Sequence, residues 1–137
     1  MKSIKAIVAG SVFIIVVILL LQLVYIFIAV GYNVLAEDYP LLNEIAGSFR
    51  YIIGIPVFVV TMFTGGYITA IIANMEAGLK VFLHCIAVGL ITSGGMIYPT
   101  LENADITTTG IVIFILSLLA TTAGGLYWQK NSRINQI

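Results

Sequence analysis

The stretch Tyr51–Met75 reads YIIGIPVFVVTMFTGGYITAIIANM and holds no Asp, Glu, Lys, Arg or His from end to end. A bilayer core about 30 Å thick is crossed by about 20 helical residues, so this run is long enough to span one. Backbone polar groups in hydrocarbon must be paired within the segment, which leaves helix as the conformation. The alternating polarity of a membrane β-barrel is absent. Inside the run Gly65 and Gly66 stand side by side, although glycine costs a helix roughly 1 kcal/mol against alanine. The pair makes room either for a ligand or for another helix.

Working outward, three more runs share this character. Ala6–Gly31 has no ionisable side chain except Tyr25, Val81–Leu101 has His84 as its one charged-type residue, and Ile106–Gln129 has none. Hydrophobic residues make up 61% of the 137 and charged residues 9%, against about 25% charged in a soluble protein. Too few charges remain to cover a water-facing surface. The sequence therefore predicts one all-α domain, 1–137, with spans at about 6–31, 51–75, 81–101 and 106–129, packed as an antiparallel four-helix transmembrane bundle. Lys2 and Lys5 precede the first run, but that run exceeds the roughly 7–15 residues of a signal-peptide core. It reads as a retained span.

Charge placement predicts orientation. With the N-terminus inside, the inner segments carry Lys2, Lys5, Lys80, Lys130 and Arg133, and the outer ones only Arg50. This positive-inside bias puts both termini in the cytoplasm. A net charge of zero gives no signature of nucleic-acid binding. The single cysteine, Cys85, excludes an internal disulfide.

Between Tyr32 and Arg50, Asp38 is a candidate cap and Pro40 a first-turn residue for a short helix at the outer interface. Its apolar side would carry Leu41, Leu42, Ile45, Ala46 and Phe49. Pro56 beside Gly54 predicts a static bend near the outer end of span two. Pro99 is expected to end span three, and Asp105 with Thr107–Thr109 to cap span four. Tyr32, Tyr39, Tyr51 and Tyr98 at one boundary and Tyr127 and Trp128 at the other form an interfacial aromatic belt.

The glycine pair recurs, as TSGGMIY in span three and TTAGGLY in span four. These hits are short, and spans two and three run in opposite directions, so they read as shared packing composition rather than a repeat. Spacing is more informative, because residues four apart share a helical face. Span two has Thr61, Gly65, Thr69 and Ala73, with Gly66, Ala70 and Asn74 as an adjacent row. Span three has Cys85, Gly89 and Ser93; span four has Ser117, Thr121 and Gly125, beside Ala120 and Gly124. In lipid such smooth faces mark helix–helix contacts. Past Ala6, Ala9 and Gly10, span one is mostly large and apolar, which predicts a core of spans two to four with span one at the periphery. Gln22, near the middle of span one, needs a hydrogen-bond partner, in another span or in a second copy.

Chemistry is sparse. His84 is the only ionisable residue of its kind at depth, one turn from Lys80. One histidine and one cysteine make no metal site, no buried carboxylate offers acid–base catalysis, and neither phosphate loop nor cofactor signature is present. The only polar grouping expected is in the inner half: Thr69, Asn74, His84, Cys85, Thr121 and Thr122.

GGYITAIIA, a short connection with Lys80, and then HCIAVGLI together resemble a pattern in small four-span bacterial membrane proteins of unknown function. The resemblance covers Gly65–Ile91 and departs from the pattern at Cys85. It implies a bacterial inner membrane and no reaction. The small multidrug transporters share only the four-span size, since their first-span glutamate has no counterpart here. The expectation is a non-catalytic membrane subunit or assembly partner, with no cofactor, working through the lipid bilayer and a protein partner or self-association. The alternative is a small transporter or channel for a neutral or apolar solute.

Overall fold

A computed structural model of the chain describes residues 2–36, 50–74, 78–102 and 108–134. It contains α1 (Lys2–Ala36), a π-helical turn (Arg50–Gly54) leading into α2 (Ile55–Ala73), α3 (Gly78–Glu102) and α4 (Thr108–Ile134). All four α-helices include a stretch long and apolar enough to cross a membrane, so by length and composition the chain is an integral membrane protein. The expected interfacial helix, the caps Asp105 and Thr107, and Tyr39 lie outside the described residues, as do the side chains of Tyr51 and Tyr98.

The bend expected at Pro56 takes the form of a register change. Pro56 sits in the first turn of α2, directly after the π-helical turn. Proline has no N–H to give the carbonyl one turn back, and lengthening the turn before it absorbs that defect. Pro99, in contrast, does not end α3, which runs on to Glu102. Only the last turn lies beyond Pro99, so little hydrogen bonding is lost.

Helix directions follow from which residues meet. Gly10 of α1 abuts Thr69 of α2, and Ile14 abuts Gly65. Cys85 of α3 reaches Gly66 of α2, and Thr92 reaches Met62. Gly89 of α3 lies on Leu118 and Thr121 of α4, and Cys85 on Gly125. In each pair numbers rise on one helix as they fall on the other. Sequential helices are therefore antiparallel, and both termini of the helical chain lie at one end of the bundle.

The most extensive packing is not between sequential helices. It joins α2 and α4, which run parallel. Also in contact are α1 with α2, α1 with α3, α2 with α3, and α3 with α4. One layer draws a buried residue from every helix, namely Ile14, Met62, Val88 and Ala120. A second, toward the end that carries the termini, joins Ala70, Val81 and Cys85 with Trp128 packed against them. Trp128 is thus built into the packing, and Tyr127 lies tilted against Phe63 and Tyr67 with ring centres 5.7 and 6.4 Å apart.

The placement of α1 bears out the expected periphery in its second half and departs from it in its first. Ala6, Gly10, Ser11 and Ile14 are buried, so its first half belongs to the core. Ala6, Gly10 and Ile14 recur every four residues on its buried face, and Gly10 and Ile14 lie on α2. The second half is different: Leu19 to Ile28 are all exposed. In the 18-residue stretch that qualifies α1 as a span only 6% of residues are buried, against 33% in the corresponding stretches of α2 and α3.

At the far end of α2, Asn74 closes the helix in the left-handed conformation, φ 43° and ψ 49°, its N–H donating to the Ala70 carbonyl at 3.0 Å. Asparagine tolerates this region where branched residues do not. An Asn74→Gly variant is expected to melt at or slightly above the parent temperature. Asn74→Val should lose about 1–2 kcal/mol, read by thermal unfolding in detergent micelles.

Candidate functional site

The glycine pairs explain themselves once both neighbours are in view. Successive helical residues point about 100° apart, so two adjacent glycines clear two different sides. Gly65 faces α1: a side chain there would run into Ile14. Gly66 faces α4: a Cβ there would fall inside the Thr121 carbonyl. The pair in α4 repeats the device. Gly124 faces α2, where a Cβ would strike the Phe63 carbonyl, and Gly125 faces α3, where it would strike the Cys85 thiol.

The α2–α4 crossing is thus reciprocal, with each backbone presenting a carbonyl to a glycine of the other. A glycine hydrogen stands where each Cβ would be. Cα–H···O contacts of this kind are worth about 0.5–1 kcal/mol each, and the close approach brings the flanking side chains into dispersion range. Gly66 also turns its carbonyl to α3, where the Cys85 thiol donates to it at 3.6 Å. Three helices therefore meet at Gly66.

The third pair behaves differently. Gly94 and Gly95 are exposed and a Cβ at either would meet nothing within 4 Å. Gly94→Ala or Gly95→Ala is expected to leave packing intact and to raise stability by up to about 1 kcal/mol through helix propensity, seen as a higher unfolding midpoint.

Thr61, Gly65, Gly66, Thr69, Ala70 and Ala73 of α2 are all buried. So are Cys85, Gly89 and Ser93 of α3, and Ser117, Thr121, Gly124 and Gly125 of α4. Most of their hydroxyls turn back on their own helix. Thr61 donates to the Val57 carbonyl at 2.8 Å, Thr69 to Gly65 at 2.8 Å, Thr92 to Val88 at 2.8 Å, and Thr121 to Ser117 at 2.9 Å. Back-bonding of this kind hides a hydroxyl in a dry interior without a partner helix. Among the described residues, Ser11 alone has a buried side-chain oxygen left without a partner.

Among the described residues the side chains of the polar grouping expected in the inner half make no hydrogen bonds to one another. Thr69, Cys85 and Thr121 are buried at helix contacts, but Asn74 is exposed and serves as the helix cap. Half-buried His84 has Nδ1 2.6 Å from the carbonyl of Lys80 on its own helix. Half-buried Thr122 donates to Leu118 at 2.8 Å. No group of three or more His, Cys, Asp or Glu side chains that could hold a metal is found among the described residues. Gln22 is exposed.

Sequence reasoning missed the face of α1. The fourfold spacing of Ala6, Gly10 and Ile14 was the available signal, masked by the large residues around it. It also missed Gly78, which packs on the side chain of Gln129, a buried residue of α4. No family model, no curated protein and no solved structure matches the chain.

Proposed function

We propose that this protein is a small, non-catalytic membrane subunit or assembly partner that works by helix packing, in a larger complex or a homo-oligomer. The observation that carries the reading is the α2–α4 crossing at Gly66 and Gly124. There the polar and small residues of the middle of the bundle are spent on backbone contact, and their hydroxyls are turned onto their own helices. A solute path needs such groups facing an open lumen. The protein's outward surface is instead a broad apolar one, greatest on the second half of α1.

In this reading the end that carries the termini faces the cytoplasm, because Lys2, Lys5, Lys80, Lys130 and Arg133 belong to it and only Arg50 to the other. The resemblance over Gly65–Ile91 favours a bacterial inner membrane as its location. The test is affinity purification of the tagged full-length chain from native membranes in mild detergent. A stoichiometric partner, or a defined oligomer of the chain, supports the reading. Solute flux through purified protein in liposomes would sink it in favour of a small transporter or channel.

A further inference from the structure

On the proposed subunit reading, we infer that the partner bound by α1 is a second copy of this chain, docked in parallel so that the two Gln22 amides pair across a two-fold axis. The second half of α1 is where the fold leaves apolar surface uncovered. From Val12 to Gly31, Gln22 is the one side chain with an amide; all others are apolar except Tyr25. Gln22 itself is exposed. It lies nine residues before Gly31, about 13 Å along the helix axis at 1.5 Å per residue. That is beyond the reach of its side chain to the span's end.

An amide at that depth faces hydrocarbon, where an unpaired polar group costs several kcal/mol. Among the described residues no side chain of this chain bonds to it, Tyr25 three residues on included, and its other neighbours on α1 are apolar. Lipid tails offer neither donor nor acceptor.

Two observations select a second copy as the occupant. First, an amide is its own complement: it carries an acceptor oxygen and two N–H donors, so two copies at equal depth can exchange hydrogen bonds. A two-fold axis along the membrane normal brings each residue to its own mate at equal depth. The orientation bias of the charges makes all copies point the same way. Second, Val8, Val12, Ile15, Leu19, Gln22 and Ile26 are spaced alternately by four and three residues, and all are exposed. This is the spacing that keeps one seam facing an identical helix. The seam avoids buried Ala6 and also Gly10 and Ile14, which are occupied by α2. One α1 therefore holds its own bundle with one face and a second protomer with another.

The test uses the purified full-length chain carrying a donor or acceptor dye on a cysteine added after Ile137, Cys85 being buried. It is reconstituted in phosphatidylcholine–phosphatidylglycerol vesicles over a series of lipid dilutions. Energy transfer is expected to follow a monomer–dimer curve. Gln22→Leu should raise the dissociation constant about tenfold, the weight of an interhelical amide bond in a membrane. Gln22→Asn should restore much of it, and Val16→Leu, off the seam, should change nothing. Disulfide trapping at Leu19→Cys or Ile26→Cys in a Cys85→Ala background is expected to give dimer, and at Leu23→Cys to give little.

A chain monomeric at every dilution overturns the proposal. So does a dimer indifferent to Gln22→Leu. If the monomeric chain still copurifies with a different stoichiometric protein, the subunit reading stands and only self-pairing falls. If the monomer alone conducts a solute, both fall.

Discussion

Replacing Gly66 or Gly124 by alanine is expected to cost about 3 kcal/mol, the upper end of what overpacking does in a protein interior. The single added methyl would occupy the position of a backbone carbonyl, that of Thr121 or of Phe63. A clash with the tip of a side chain is relieved by a rotamer change. A carbonyl is held by its own helix, so the helices must separate. Separation forfeits the reciprocal Cα–H···O contacts and opens the surrounding dispersion contacts together. The lone tryptophan, Trp128, packs on Ala70, Val81 and Cys85, and so reports whether α2, α3 and α4 remain joined. Both variants should show a red-shifted Trp128 emission and a lower unfolding midpoint in sodium dodecyl sulfate titration. The double variant should cost less than the sum of the singles, since one separation relieves both clashes. Wild-type midpoints for both singles would refute a crossing governed by backbone contact.

Gly10→Leu is expected to release α1 while sparing the rest, at a cost of about 2–3 kcal/mol. A side chain at position 10 would meet the Thr69 hydroxyl and come against the Gly65 carbonyl. Thr69 is buried and its hydroxyl is committed to that same carbonyl, so it has no free direction in which to yield. The Trp128 cluster contains no residue of α1. Its emission should therefore stay near the parent value while amide exchange in Ala6–Ile14 accelerates. This split between the two readouts distinguishes local release from general unfolding. Equal loss of both would mean that α1 is integral to the α2–α4 contact. Gly31→Leu, at a position where nothing lies within 4 Å, is the matched control and should affect neither.

The Gly66 and Gly10 variants also bear on function. If the chain acts by packing, partner binding should fall with the fold in the Gly66 series, whereas Gly10→Leu should disturb only what rides on α1. An activity that survived the loss of the α2–α4 crossing would not belong to a packing protein.

Much of the architecture could be read from the chain alone. Runs free of charge are long enough to cross a bilayer, and in hydrocarbon they must be helical. The small residues at fourfold spacing on spans two, three and four were visible as faces that other backbones can approach, and they lie buried. The conformation at Asn74 and the register change before Pro56 also have local causes, in a residue type that accepts positive φ and in one that lacks an N–H. Only the tertiary structure decided which smooth face meets which. Small faces are alike in composition, so Gly65, Gly94 and Gly124 carry no label in sequence, yet one meets α1, one meets nothing and one meets α2. Tertiary structure likewise paired parallel α2 and α4 most closely and brought the first half of α1 into the core. The physical reason is that backbone approach in lipid is a property of two surfaces fitted together. A single sequence displays each surface separately and leaves their matching to the fold.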